Sequence, residues 1–280
     1  MRKLKHCIPV LTIAGSDSSG GAGVEADIKT IEALGGYAAA AITAVTAQNT
    51  LGVTAVEAVS PSLVSQQIDA VMTDIEPKAV KIGMTCHANI VRAIAESLRK
   101  YAAVPLVVDP VMVSTSGAIL MEDEAIDVVV KKMFPISTLL TPNIPEAERL
   151  SGITITDEND YERAARLILD MHCRAVLIKG GHAIGKDTVT DHLFVRTKNE
   201  KIETHLFSHP LVNTNNTHGT GCTLSSAIAF YLASGLSLTE AVDKGIAYLY
   251  DALSHSVGIK FGHGHGSVNH TFNPRALSLC

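Results

Sequence analysis

What most constrains this chain is a repeated beat: a short apolar run, a polar or glycine-rich turn, then a segment with apolar residues at helical spacing. It begins with "CIPVLTIAG" and "SDSSGGAG", after which Val24, Ile28, Ile31 and Leu34 share one helical face. "YAAAAITAV" and "VTAVEAVS" read as strands around the polar loop "TAQNTLG", and a helix is expected over 61–74 with Ser60 as its N-cap. Further apolar runs are "AVKIGMT", "PLVVDPVM", "STLLTPN" and "AVLIKGG". Between them the periodicity predicts helices over 89–101, 122–134 and 160–172, and one entered at Pro145, where a missing N–H costs nothing. "VTDHLFVRT" and "KIETHLFSH" flank Lys198-Asn199-Glu200 as a hairpin, and helices over the Cys222 segment and 238–256 close the chain.

Short apolar strands need helices on both faces to leave water, and helical crossovers make neighbouring strands parallel. The expectation is an α/β fold, with a mostly parallel central sheet, helices on both faces, residues 1–280 as one domain, and no separate lid domain. Composition agrees: hydrophobic residues make up 46% but aromatics only 4%, so the core is aliphatic. A net charge of −5 without a long Lys/Arg run excludes a nucleic-acid-coating surface. No stretch approaches a membrane span, and "MRKLKHCIPVLTIAGSD" lacks a small-residue cleavage site, so it reads as a first strand rather than a signal peptide. Five scattered cysteines (Cys7, Cys86, Cys173, Cys222 and Cys280) exclude a disulfide framework or zinc ribbon and point to a reducing, cytoplasmic compartment.

In open parallel sheets, ligands bind beyond the carboxyl ends of the strands. Asp17, Met84, Asp109, Asn143, Glu146 and Lys179 all follow predicted strands, so they are expected along one edge. The first glycine turn, Gly15 to Gly23, matches neither a P-loop nor a dinucleotide fingerprint and alone reads as an ordinary tight turn. Asp27, placed on the outer side of the following helix, reads by default as a solvated carboxylate. The second turn, "HGTGC", is stronger. Gly219 and Gly221 let the N–H groups of Thr220, Gly221 and Cys222 converge at the start of an amphipathic helix buried through Leu224, Ala227, Ile228, Tyr231 and Leu232. About half a positive charge accumulates at such an end. It favours a thiolate at Cys222 over the buried hydrophobe that a free cysteine usually is. Lys179, opened to its surroundings by two glycines, suits a phosphate. Asp109 and Glu146, each alone more often structural, together suit a hydrated Mg²⁺. His263, His265 and His270 sit among glycines without a carboxylate framework and read as a pocket-lining loop rather than a metal site.

Taken in order, "TIAGSDSSGGAGVEADIKT", "TAVTAQNTLGV", "VKIGMT", "VVDPVM", "LLTPNIPEAE", "LIKGGH", "NTHGTGCTLSSAIA" and "GHGSVNH" cover nearly the whole chain. They resemble the hydroxymethylpyrimidine/phosphomethylpyrimidine kinases of thiamine biosynthesis, within the ribokinase-like superfamily, whose sugar-kinase members usually carry aspartate where this chain has Cys222. The resemblance implies ATP-dependent phosphorylation of 4-amino-5-hydroxymethyl-2-methylpyrimidine to its monophosphate and then to the pyrophosphate. It implies pyrimidine contacts at Asp27, Gln48, Met84 and Val111 with Gly15 and Ala22 close by. Lys179 and Thr220 would face ATP with help from Asn143, Asp109 and Glu146 would organise Mg²⁺, and Gly219, Thr220, Gly221 and Cys222 would form an anion hole. It also implies a homodimer. Ser18 and Ser267 stand where the family often has proline, so looser loops are expected there; Thr115 stands where some relatives have lysine. A cysteine in the anion hole suits a site serving both a neutral alcohol, whose proton a thiolate could take, and a phosphate that an aspartate would repel. A pyridoxal-type kinase is the nearest rival reading. A non-catalytic module has no use for the full residue set, and a thiol-redox enzyme would need a resolving cysteine near Cys222.

Overall fold

The computed structural model describes residues 5–112, 121–181 and 187–279, so Thr115 lies outside the described residues. In chain order the elements are β1 Pro9–Asp17, α1 Gly23–Ala33, β2 Tyr37–Asn49, β3 Gly52–Ala58, α2 Pro61–Asp74, β4 Ala79–Ile82, α3 Ala88–Leu98, β5 Leu106–Val108 and α4 Asp123–Lys132. There follow β6 Leu139–Leu140, α5 Ile144–Ser151, α6 Glu158–Leu169, β7 Ala175–Ile178, β8 Thr188–Arg196, β9 Ile202–Pro210, α7 Thr220–Ala233 and α8 Leu238–Ser254. The nine strands form one sheet in the order β3-β2-β1-β4-β5-β6-β7-β8-β9. Pairing is parallel from β2 through β7 and antiparallel where β3 joins β2 and where β8 and β9 close the other edge.

Period-two alternation assigns each strand residue to a face. Leu11, Ile82, Val108, Leu140 and Ile178 pack into one core with α2 to α6. Val10, Val107, Leu139 and Leu177 pack into a second core with α1, α7 and α8. The chain leaves β1 outward to β2 and β3, then returns to β4 on the other side of β1. The strand order therefore reverses between β1 and β4, which is where such sheets open a crevice at their carboxyl edge.

Caps fix several helix ends where the sequence places them. The Ser60 hydroxyl accepts from the Leu63 N–H, and Asn143–Glu146 and Ser237–Glu240 are reciprocal capping boxes. Helix α6 starts two residues earlier than the periodicity predicts, because Asp157 accepts from the N–H groups of Asn159 and Asp160. Helix α4 stops at Lys132, before a 3₁₀ turn over Phe134–Ile136. Two expectations change more. The polar loop after β2 is largely strand: β2 reaches Asn49 by pairing antiparallel with β3, so Gln48 is held in a ladder. Helix α7 is not amphipathic in use. All ten residues from Thr223 to Leu232 are buried, because it is wedged between the sheet, α1 and α8. Among the described residues, no helix is long and apolar enough to cross a membrane.

Candidate active site

Elements on both sides of the strand reversal meet at the start of α7. Gly219 adopts φ +83° and carries no side chain to cap the helix; the Thr220 N–H makes a long bond to the Thr217 carbonyl at 3.4 Å, and the amides of Gly221 and Cys222 follow it at the open helix start. Its left-handed geometry is matched by close packing: a Cβ there would stand 1.8 Å from the Gly21 carbonyl oxygen. The two glycine turns, distant in sequence, therefore lie backbone to backbone. A Cβ on Gly221 would lie 3.0 Å from Asp109 Oδ2 and 3.4 Å from Lys179 Nζ. The predicted anion hole thus borders the predicted phosphate and metal residues.

Lys179 Nζ donates to Asp109 Oδ1 at 2.8 Å, and the Thr141 hydroxyl donates to the same oxygen at 3.1 Å. Burial works against the Lys179 charge, but Asp109 and Glu146 outweigh it and hold the ammonium above the usual lysine range. Asn143 bridges to Lys179 across neighbouring strand ends, and its side chain accepts from the Glu146 N–H at 2.8 Å. Glu146 in turn accepts from the N–H groups of Asn143 at 2.8 Å and Met112 at 3.4 Å. Burial pushes its carboxyl well above the ordinary range; Lys179 opposes the rise and Asp109 adds to it.

Cys222 lies within electrostatic reach of Lys81, Asp27 and Asp109. The thiolate expectation fails. Burial pushes the thiol up to about 11, and Lys81 and the backbone N–H of Gly23 oppose the rise without reversing it, which favours an uncharged S–H at neutral pH.

Asp27 also departs from expectation. It is fully buried, not solvated, and forms a salt bridge with the equally buried Lys81 at 2.8 Å. Its remaining acceptor sites take the hydroxyls of Thr12 at 2.6 Å and Ser226 at 2.7 Å. Its carboxylate is thus bonded within the protein and lies beneath the site, tying α1 to β1, β4 and α7, instead of presenting itself to a ring. Burial alone would discharge Lys81, but the Asp27 carboxylate keeps it charged. The sequence reading missed Lys81, which alternates with apolar neighbours in "AVKIG" like any strand residue.

The other ring candidates cluster around the ends of β1, β2 and β4. A Cβ on Gly15 would touch the Met84 thioether at 3.4 Å, and the Thr43 hydroxyl donates to the Met84 carbonyl at 2.6 Å. Ala22 gives its N–H to Asp17 Oδ2 at 2.8 Å. Val111, just past β5, donates its N–H to the Asp109 carbonyl at 2.8 Å. Gln48 is half-buried, and its amide lies 3.3 Å from the imidazole of His218.

His218 is the second residue missed. Its Nε2 lies 2.7 Å from Asp17 Oδ2. Burial raises the Asp17 carboxyl, but hydrogen bonds from His218, Ser19 and Ala22 overcome that and hold it far below the usual carboxylate range. Nor are the serine loops loose. The Ser18 hydroxyl donates to the Gln48 carbonyl at 2.7 Å and accepts from the Gln48 N–H at 2.8 Å, while Ser267 bridges to His218. At Ser18 the hydroxyl supplies a tie that a proline ring would replace by stiffness, whereas the Ser267 tie is made by the backbone. In the histidine tail, His263 and His265 are exposed, whereas His270 is buried against the Thr223 hydroxyl at 3.0 Å.

A mostly parallel sheet in which a helix start without a side-chain cap borders an aspartate–lysine pair belongs to the phosphotransferases of the ribokinase-like class. The family model for phosphomethylpyrimidine kinase matches residues 17–269, and the chain belongs to that family. It is 47% identical to the hydroxymethylpyrimidine/phosphomethylpyrimidine kinase of Rhizobium meliloti, over 93% of this chain and 96% of that one. It is also 47% identical to the thiamine biosynthesis bifunctional protein ThiED of Geobacter sulfurreducens, of which it spans about half, 52%. Among solved structures, the phosphomethylpyrimidine kinase of Clostridium difficile 630 superposes with a TM-score of 0.76 at 46% identity, covering 88% of this chain and 99% of that one. The pyridoxal kinase of Staphylococcus aureus in complex with ADP superposes with a TM-score of 0.85 at 32% identity, covering 95% and 94%.

Proposed function

We propose that this chain transfers a phosphoryl group from ATP first to the hydroxymethyl group of 4-amino-5-hydroxymethyl-2-methylpyrimidine and then to the resulting monophosphate, giving the pyrophosphate used in thiamine biosynthesis. The reading rests above all on the meeting of the α7 amides with Lys179 and Asp109 at Gly221, where a phosphoryl group would be held from two sides. Its ring would lie toward Gln48, Met84, Val111 and Gly15, with the Ala22 backbone shaping the turn. The nucleotide would lie toward Asn143, Lys179 and Thr220.

The residues present fit a magnesium nucleotide. Lys179 is held by one carboxylate that phosphate oxygens can replace. Asp109 and Glu146 offer the one or two carboxylates that a largely hydrated Mg²⁺ requires. Among the described residues, no cluster of three or more His, Cys, Asp or Glu side chains gathers into a dedicated cage. When bound, the magnesium nucleotide supplies the transferable group and neutralises part of its charge. The chain itself orients that group with the amides of Thr220, Gly221 and Cys222 and with the Lys179 ammonium. Because the transition state is loose, the alcohol proton leaves late and little base strength is required of the protein.

A neutral sulfur at position 222 keeps negative charge out of the anion hole. This is what a second acceptor that is itself an anion requires. Cys222→Asp is therefore expected to depress kcat/KM for the monophosphate at least about tenfold more than for the alcohol, by like-charge repulsion in a poorly solvated site. Equal losses on both acceptors would reject this role for the thiol. Incubation of the pure protein with ATP, Mg²⁺ and the pyrimidine alcohol, followed by mass analysis, tests the whole reading. Sequential mono- and diphosphorylated products support it, whereas preferred turnover of pyridoxal would move the assignment to the rival kinase. The resemblance also leads us to place the protein in the cytoplasm as a homodimer, which sedimentation equilibrium tests directly.

A further inference from the structure

Asp17 and His218 lie 201 residues apart in sequence, yet they meet inside the site at 2.7 Å, each less than a tenth exposed. Asp17 also gathers the N–H groups of Ser19, Gly21 and Ala22 and the Ser19 hydroxyl. A carboxylate surrounded by donors can only accept, so His218 Nε2 must carry the proton between them. A ring nitrogen that donates its proton has no lone pair left in the ring plane. The Gln48 atom placed 3.3 Å from that nitrogen is the amide Nε2, a donor facing a donor, so proton counting turns the amide round and sets its oxygen toward His218.

The other end of the same amide lies 3.3 Å from the Thr46 hydroxyl. The Gln48 oxygen is placed there, but the Thr46 hydroxyl has one proton and the Ser16 carbonyl at 2.9 Å is its nearer acceptor, so toward Gln48 it accepts, and the turned amide brings its NH₂ to that position. The two ends of a glutamine amide are nearly equal in size, and proton counting is what distinguishes them. Both contacts agree on one orientation. The reverse would set donor against donor at His218 and lone pair against lone pair at Thr46.

We propose that Asp17 and His218 are positioning residues that fix which way round Gln48 presents its amide, and thereby which heteroaromatic edge the site accepts. This deepens, and rests on, the reading of Gln48 as a ring contact. With its orientation set, Gln48 retains one free acceptor position on the His218 side and one free N–H on the Thr46 side. It matches a planar ring carrying an amino donor beside a ring-nitrogen acceptor in that sense. A ring with the opposite order, or with no such edge, meets mismatched groups.

The test has two arms. Side-chain ¹⁵N NMR of the unmodified full-length protein should show His218 with a proton on Nε2, and an Nδ1–H tautomer at neutral pH would overturn the arrangement whatever the protein's substrate. The second arm compares kcat/KM for the aminopyrimidine alcohol with that for pyridoxal. His218→Gln keeps an N–H donor where Nε2 stood and should preserve the ratio within about threefold. His218→Leu should reduce it about 10–100-fold, the effect of one buried hydrogen bond, with KM for ATP unchanged. Equal losses on both alcohols in His218→Leu would assign the pair a purely structural role and overturn the proposal. Failure of the wild type to phosphorylate either alcohol would instead remove the functional reading, leaving the NMR result to judge the proton arrangement.

Discussion

Lys81 carries its charge into a fully buried position, where an unpaired ammonium would be costly; Asp27, Thr12 and Ser226 make the burial tolerable. Removing one member is harsher than removing the pair. Lys81→Met leaves the Asp27 carboxylate buried without its cation, and is expected to destabilise by about 3–5 kcal/mol in urea unfolding. The double variant Lys81→Met/Asp27→Leu should recover part of that loss. A double variant less stable than the single would show that the pair itself, not the stranded charge, sets the cost. Sequence pattern could not reveal this cluster. Asp27 sits on the helix side that faces α7 and β4 only because α7 returns from the far end of the chain to cover it. His218 likewise acquires its meaning from Asp17, a partner that no local window contains. Asp109, Glu146 and Lys179 were legible because strand ends advertise themselves locally, by an apolar run stopping at a polar residue.

Helix α7 links the proposed anion hole to the core, and its first turn is held by a short relay. The Thr223 hydroxyl donates to the Gly219 carbonyl at 2.8 Å, so toward His270 it accepts, and the imidazole at 3.0 Å supplies Nε2–H. The His270 carbonyl is itself fixed by the Tyr248 hydroxyl at 2.6 Å. Burial, with Lys29 and His218 nearby, lowers the His270 imidazole to about 4. A histidine whose folded value lies below its unfolded one takes its proton first in the unfolded chain. Stability from this group is therefore complete above about pH 6.5 and is lost as pH falls from there to 4, by up to about 3 kcal/mol. His270→Gln keeps a donor for Thr223 but cannot titrate. Denaturation at pH 7 and pH 4.5 should show a markedly smaller acid loss in the variant, and identical losses would exclude His270 as a cause. The histidine tail invited a metal reading from composition; the structure gives its innermost member a helix-anchoring hydrogen bond. Helix limits were readable wherever a side chain caps its own helix, as at Ser60 and Asn143. The all-round burial of α7 was not, because whether a helix is covered on one side or two depends on the sheet order.

Across the whole molecule, the proposed site falls into two halves that share α7 and meet where β4 pairs with β5. Gly15, Ala22, Gln48 and Met84 come from the β1, β2 and β4 side. Asp109, Asn143, Glu146 and Lys179 come from β5, β6 and β7 and the turns beyond them. Besides the β4–β5 ladder, in which the Asp109 N–H donates to the Ile82 carbonyl, α7 touches both halves through the glycine turns: Gly219 against Gly21 on one side and Gly221 against Asp109 and Lys179 on the other. A ligand held mainly by one half should therefore survive damage to the other. Lys179→Ala removes the cation offered to phosphate while leaving the ring side untouched. The variant should lose most of the thermal stabilisation that saturating Mg-ADP gives the wild type, which at a hundredfold excess over Kd amounts to about 2.7 kcal/mol. It should keep the stabilisation given by the pyrimidine alcohol within experimental error. Thermal-shift titrations of both proteins with each ligand measure this directly. Loss of the alcohol's effect together with that of the nucleotide would mean that the halves are a single cooperative unit.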